Sequence, residues 1–319
     1  MSAPHRHWAQ INEASFVAGM RLLFWLYRIA GRWPFRLALY PVLGWYLISQ
    51  PSARQASSGY LRRLSAFIHA DNSHRIRSGL LGVFQHFASF AESILDKMLL
   101  WGGLFKTQDV IHSGQEHMLE NIQAQRGGLL ICAHLGNLEL CRVLSRQCSG
   151  LRITVLVHTK HAQAFNRLLA QLDPHSQLNL MQVTEMNAVT AMLLAEKVAR
   201  GEFVAIAGDR IPVSPNPRVA HADFLGERAP FPVGPYVLAS VMQCPVYLMF
   251  SLTVGARSEC HFELFQESIR LPRKNRDQVL DELAAAYAAR LEHFCLRAPL
   301  QWFNFYDFWR LSGYDDAPR

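Results

Sequence analysis

The sequence predicts an α/β fold: a mainly parallel mixed sheet flanked by helices, preceded by a helical, membrane-associating N-terminal extension. Three observations carry this. From about residue 126 onward, short apolar runs alternate with stretches whose apolar residues recur every three or four positions. Strands alternating with helices imply a parallel sheet with helices on both faces. Half of the 319 residues are hydrophobic and only 18% are charged, which suits a large packed core and excludes a disordered chain. The most apolar stretch, residues 15–51, is broken by Arg21, Arg28, Arg32 and Arg36 and then by Pro41, Gly44 and Pro51. It is thus unlike the roughly 18–20 uninterrupted apolar residues of a membrane-spanning helix.

Residues 1–55 form the predicted interfacial region. Arg21, Arg28 and Arg32 share one helix face, and Phe16, Leu23, Leu26, Tyr27 and Ala30 lie opposite. Trp25, Trp33 and Trp45 supply rings suited to lipid headgroups. The expectation is a helix lying in the membrane surface, arginines toward anionic lipid and apolar side in the acyl boundary. No cleavable leader is visible in the polar first ten residues. Residues 56–319 form the predicted main domain, beginning with a helical lead-in over 56–125 that includes "IRSGLLGVFQHFASFAESILDKMLLW". In the α/β core, "GGLLICA" predicts a buried strand and "NLELCRVLSRQ" a helix. "LRITVLVH" is read as a strand and "HAQAFNRLLAQL" as a helix. "LNLMQV" is a strand, followed by "MNAVTAMLLAEKVARG", a helix closed by Gly201, and the strand "EFVAIAG". A Pro/Gly-rich loop leads to the helix "GPYVLASVMQ". Two β-rich segments, "CPVYLMFSLTV" and "CHFELFQESI", precede a long helix over 276–296.

The formal net charge of +7 favours an anionic partner, such as phospholipid headgroups or an acidic carrier protein. Nucleic acid is disfavoured, since no zinc-finger spacing, aromatic RNA-binding motif or clear helix-turn-helix is present. Six cysteines without a CxxC pair read as reduced thiols in a cytosolic compartment. His158 and His161 have metal-ligand spacing but lack an evident third ligand, so no metal or other cofactor is expected.

"LLICAHLGNLEL" holds the chemistry. His134 is followed five positions later by Glu139. With 14 histidines and 25 acidic residues in the chain, chance alone gives about one such spacing, so context decides. His134 ends a predicted strand, where α/β sheets collect their catalytic groups. Gly136 permits close backbone approach and Asn137 can cap the next helix. With His134 before the helix and Glu139 in its first turn, the carboxylate can take a hydrogen bond from one imidazole nitrogen and leave the other as a base. A helix-capping histidine beside a helix-start glutamate is the alternative.

"AHLGNLE" resembles the His-x4-Asp/Glu motif of the lysophospholipid acyltransferase superfamily. Within it, the chain resembles the bacterial lipid A late-acyltransferases, which transfer lauroyl or myristoyl chains. "GEFVAIAGDR", "ADFLGERAPFPVGPYVLASVMQCPVYLMF" and "PLQWFNFYDFWR" are similar to three further family blocks in the same order, so the resemblance runs from Gly128 to Arg310. Arg210 stands where the family usually has glutamine, and His158 and Lys160 lie near a position often taken by arginine. These departures touch acceptor identity. The pattern most resembles acyltransferases associated with aryl-polyene pigment pathways.

The resemblance implies transfer from acyl carrier protein or acyl-CoA to a hydroxyl of a lipid or glycolipid, at the cytoplasmic face of a bacterial inner membrane. His134 would be the base and Glu139 its orienting acid, with backbone N–H groups near Asn137 meeting the oxyanion. Asp209 would anchor a loop, orient the acceptor, or simply cap a turn. Lys160, Arg210, Arg218 and Arg228 are candidates for phosphate or sugar contacts. Arg62–Arg63 and "RLPRKNR" are candidate docking points for an acidic carrier. A thioesterase and a non-catalytic lipid-binding scaffold are the rival functions.

Overall fold

The computed structural model describes residues 25–69, 78–105, 110–140, 151–157, 178–182, 188–211, 217–255 and 257–310. Three helices come first: α1 (Trp33–Ser49), α2 (Pro51–His69) and α3 (Leu80–Trp101). Then follow β1 (Val110–Ser113), α4 (Glu116–Gln123), β2 (Gly128–Cys132) and a 3₁₀ turn at Leu138–Leu140. Next come β3 (Ile153–Val157), β4 (Leu178–Gln182), α5 (Ala188–Ala199) and β5 (Phe203–Ala207). The chain continues through β6 (Val219–Phe224), β7 (Glu227–Pro232), α6 (Gly234–Met242), β8 (Val246–Val254), β9 (Arg257–Gln266) and α7 (Arg276–Arg297).

Seven strands form one sheet in the order β1-β9-β8-β2-β5-β3-β4. Strands β8, β2, β5, β3 and β4 run parallel. β9 pairs antiparallel with β8, and β1 runs parallel to β9. The period-two alternation of side chains divides the core in two. Leu129, Ile131, Val204, Leu248 and Phe250 face one layer, whereas Leu130, Cys132, Phe203, Ala205, Tyr247 and Met249 face the other. Every residue of β2 is buried, as its unbroken apolar run predicts for a central parallel strand. Helix α7 turns Leu280, Leu283, Ala284, Tyr287, Leu291 and Phe294 inward.

Two elements depart from expectation. The segment read as a Pro/Gly-rich loop contains the antiparallel hairpin β6–β7, whose inward residues Ala220, Ala222 and Phe224 alternate with outward ones. Strand β1 lies in the stretch read as helical. It is four residues long, too short to show a period. The predicted helices over 137–147 and 161–172 lie largely or wholly outside the described residues.

The N-terminal helices pack on one another. Tyr40 stacks on Phe84 and Tyr46 meets Phe87, joining α1 to α3. The expected break at Pro41 does not occur, and α1 continues through it. At 17 residues the helix spans about 26 Å at 1.5 Å per residue, and no helix among the described residues is long and apolar enough to cross a membrane. The orientation of the arginines also differs from expectation. Arg32 pairs with Glu92 and Asp96 on α3, and Arg36 pairs with Glu92. Two acids one helical turn apart on α3 draw these arginines toward the protein, while Arg28 is exposed and Arg21 lies outside the described residues. The opposite side of α1 exposes Trp33, Leu37, Trp45 and Ile48, each 70% or more accessible.

Candidate active site

The parallel pairing of β2 with β5 sets Cys132 opposite Ala207. Both strands end there, so His134 and Asp209, each two residues further on, emerge side by side. The Gly208 N–H still donates to the Cys132 carbonyl at 2.8 Å. A Cβ on Gly208 would lie 2.6 Å from Ile131 Cγ2 and 2.7 Å from Tyr287 Cζ, so only glycine fits this close passage. Gly136 has φ +60°, and a Cβ there would lie 2.2 Å from the Ser251 carbonyl oxygen. The close approach expected of Gly136 is thus to strand β8.

Asp209 is wholly buried and accepts three hydrogen bonds. Its Oδ1 takes one from His134 Nδ1 at 2.8 Å, and its Oδ2 takes the His134 backbone N–H at 2.7 Å and the Trp302 indole N–H at 2.9 Å. Burial pushes the Asp209 carboxyl up, but the charge and hydrogen bonds of His134 and the charge of Arg210 outweigh it. The group is held below its ordinary value as a carboxylate. A carboxylate can only accept here, so Nδ1 carries a proton, and Nε2 is the nitrogen left to face the cavity. The pairing of His134 with Asp209, 75 positions away in sequence, is not visible from local spacing.

His134 lines a cavity of about 320 Å³, with Phe90, Lys97, Gly136, Leu138, Arg210, Phe303, Phe305 and Tyr306 as its other walls. Phe90, Ser93 and Lys97 lie at i, i+3 and i+7 on α3, one stripe of a helix turned to the His134 loop. Ser93 Oγ donates to the Gly136 carbonyl at 3.3 Å. Burial lowers the Lys97 pKa, and the charge of Glu139 opposes that shift. Arg210 donates to the Phe303 carbonyl at 3.0 Å and lies 5.0 Å from the centre of the Tyr306 ring.

Asn137 is buried, and its Oδ1 accepts the Glu139 N–H at 3.1 Å, the turn-capping role that the sequence predicts. Glu139 is half-buried in the 3₁₀ turn. Arg228 is exposed on hairpin β6–β7, opposite Asp223, and does not line the cavity. Lys160 lies outside the described residues. Lys97 and the cavity aromatics carried no signal in the sequence beyond the helical stripe and the "PLQWFNFYDFWR" block.

An imidazole at a strand end, hydrogen-bonded to a buried carboxylate, faces an aromatic cavity lined by two cationic side chains. The profile of the bacterial lipid A biosynthesis acyltransferases matches residues 87–311, well over half of the chain. The chain belongs to this family. The match begins within α3, so Phe90 and Lys97 lie inside the matched region. The protein is accordingly an acyltransferase, and membership implies an acyl donor and a lipid acceptor. A search of curated proteins gives no match.

Proposed function

We propose that this acyltransferase moves a fatty acyl chain from an acyl thioester, on acyl carrier protein or coenzyme A, to a hydroxyl of a lipid or glycolipid at the cytoplasmic face of a bacterial inner membrane. The observation that carries the reading is the His134 imidazole on the cavity wall, its Nδ1–H committed to Asp209. Nε2 takes the proton of the acceptor hydroxyl as its oxygen attacks the thioester carbonyl. The tetrahedral intermediate then collapses, the C–S bond breaks, and the imidazolium returns the proton to the leaving thiolate. Asp209 holds the tautomer and stabilises the imidazolium. Glu139 supplies a second negative charge beside the site and works with Lys97 at the cavity wall. Gly136 and Asn137 shape the loop at the oxyanion side. Arg210 and Lys97 suit an anionic group on either substrate, and Lys160 and Arg228 belong to the wider acceptor surface.

The exposed apolar side of α1 supports membrane association through Trp33, Leu37, Trp45 and Ile48. An acceptor from an aryl-polyene pathway is the finer assignment, resting on sequence resemblance. The carrier-docking role of residues 270–276 loses support. Gln266 pairs with Val246 while Met249 pairs with Cys132, so β9 delivers that loop to the end of the sheet opposite His134.

The test is product analysis. Radiolabelled lauroyl-acyl carrier protein or lauroyl-CoA is supplied with bacterial total lipid extract. Labelled ester lipid, lost in His134→Ala, supports the reading. Free laurate alone would make the protein a thioesterase, and no turnover would make it a binding scaffold.

A further inference from the structure

The block "PLQWFNFYDFWR" takes no part in the proton transfers described, yet it borders the acid of the catalytic pair. We propose that Trp302 is a positioning residue of the active site: its indole N–H anchors the Asp209 carboxylate so that the other oxygen stays on His134 Nδ1. This rests on the reading of His134 as the base.

The two carboxylate oxygens have different duties. Oδ1 receives the imidazole N–H, while Oδ2 receives two other N–H groups, from the His134 backbone and from the indole. Oδ2 is therefore the anchored oxygen, and among the described residues the indole is its one side-chain donor.

Joining the C-terminal segment to the His134 loop does not require that N–H. The Phe303 N–H already donates to the His134 carbonyl at 2.7 Å, the Gly136 N–H donates to the Gln301 carbonyl at 2.8 Å, and Leu135 bridges to Trp302. The aromatic cage around residue 302 comprises Tyr60, Phe224, Phe308 and Trp309, with ring centres 5.0, 5.2, 5.3 and 6.0 Å away, and a bicyclic ring of the same shape without the N–H would fill it. An aromatic without a donor would satisfy the packing. Only the carboxylate uses the N–H.

The indole is itself held from behind. The Trp302 carbonyl can only accept, so His86 Nε2 carries a proton and donates to it at 2.9 Å. His86 Nδ1 in turn accepts the Ser57 hydroxyl at 2.8 Å. Ser57 and His86 are wholly buried. One line of hydrogen bonds thus runs from α2 through α3 to residue 302, and from its indole to Asp209 and the base.

The experiment uses the full chain with isotope-labelled histidine. The Nδ1 proton shared with Asp209 is sought as a far-downfield resonance, assigned by its loss in His134→Gln. Residue 302 is changed in two ways: Trp302→Phe, and benzothienylalanine at the same position, which keeps the bicyclic shape and replaces N–H by sulfur. In both, the resonance is expected to broaden or move upfield. With lauroyl-acyl carrier protein and total lipid extract, kcat falls roughly ten- to a hundredfold, the scale of one hydrogen bond to a charged group, and KM is unchanged. In an Asp209→Asn background the same changes cost nothing more. An unshifted resonance in the folded benzothienylalanine protein overturns the inference, as does an equal loss of kcat in both backgrounds. If the wild-type protein forms no ester lipid, the acyl-transfer reading fails, and the resonance still decides the role of Trp302.

Discussion

At the scale of single residues, the base and its acid are expected to separate by substitution. His134→Ala removes the proton acceptor from a half-exposed position, so transfer is lost while the fold survives. General-base contributions are typically about 10²–10⁴-fold, and near-wild-type rates in a folded variant would exclude His134 as base. Asp209→Asn is expected to lower kcat on the same scale and to lower Tm as well, because a wholly buried carboxylate with three donors is part of the core. His86 gives a pH signature. Burial lowers its pKa to about 4 despite its bond to the Trp302 carbonyl. The unfolded chain takes up that proton near pH 6.5, so unfolding binds a proton between about pH 6.5 and pH 4. The stability tied to neutral His86 is full above that window and is lost as pH falls through it, by roughly 3 kcal/mol in all. Urea denaturation of wild type and His86→Gln from pH 7 to 4 checks this, and the variant is expected to show the flatter profile.

At the scale of elements, α1 presents an apolar surface outward and arginines inward. Replacing Trp33, Leu37 and Trp45 by serine is expected to release the protein from anionic vesicles with little change in Tm. Full burial of one large apolar side chain is worth about 1.5–3 kcal/mol, so even partial insertion of three makes the loss about a hundredfold or more. Arg32→Glu is expected to do the reverse: lower Tm by placing like charge beside Glu92 and Asp96, and leave vesicle affinity of the folded fraction nearly unchanged. Co-sedimentation and thermal melts separate the two. This element also shows what was legible in the sequence. The amphipathic pattern runs over residues 16–32, of which 16–24 lie outside the described residues, while Pro41 and Gly44 argue against the continuous helix α1. Which side meets the protein was not legible either, because the partners Glu92 and Asp96 lie some sixty positions away. Strand β2 and Gly201 at the end of α5 were readable because their signals are local. The hairpin β6–β7 was hidden by its prolines and polar outward residues, and β1 by its length. The acid on Nδ1 was hidden because strand pairing, rather than spacing, brings Asp209 to His134.

At the scale of the whole molecule, the site occupies one end of the sheet and the basic loop after β9 the other. Charge reversal at Arg273 and Lys274 is therefore expected to leave kcat/KM for acyl carrier protein within about twofold at low salt, since charge steering needs proximity to the mouth it serves. A steep loss would return the docking surface to that loop. The same architecture orders events in time. Chains are made from the amino terminus, and domains generally fold as units in that order. Helix α1, with its exposed apolar side, leaves the ribosome early, His134 in mid-course, and Trp302 near the finish. If α1 binds lipid as proposed, a growing chain would settle on a bilayer while its imidazole still lacks the clamp behind it. If the proposed function and the Trp302 clamp hold, thioester turnover would begin only after release, with the enzyme already beside its acceptor, and a prematurely terminated product would be inert toward the cell's acyl pool.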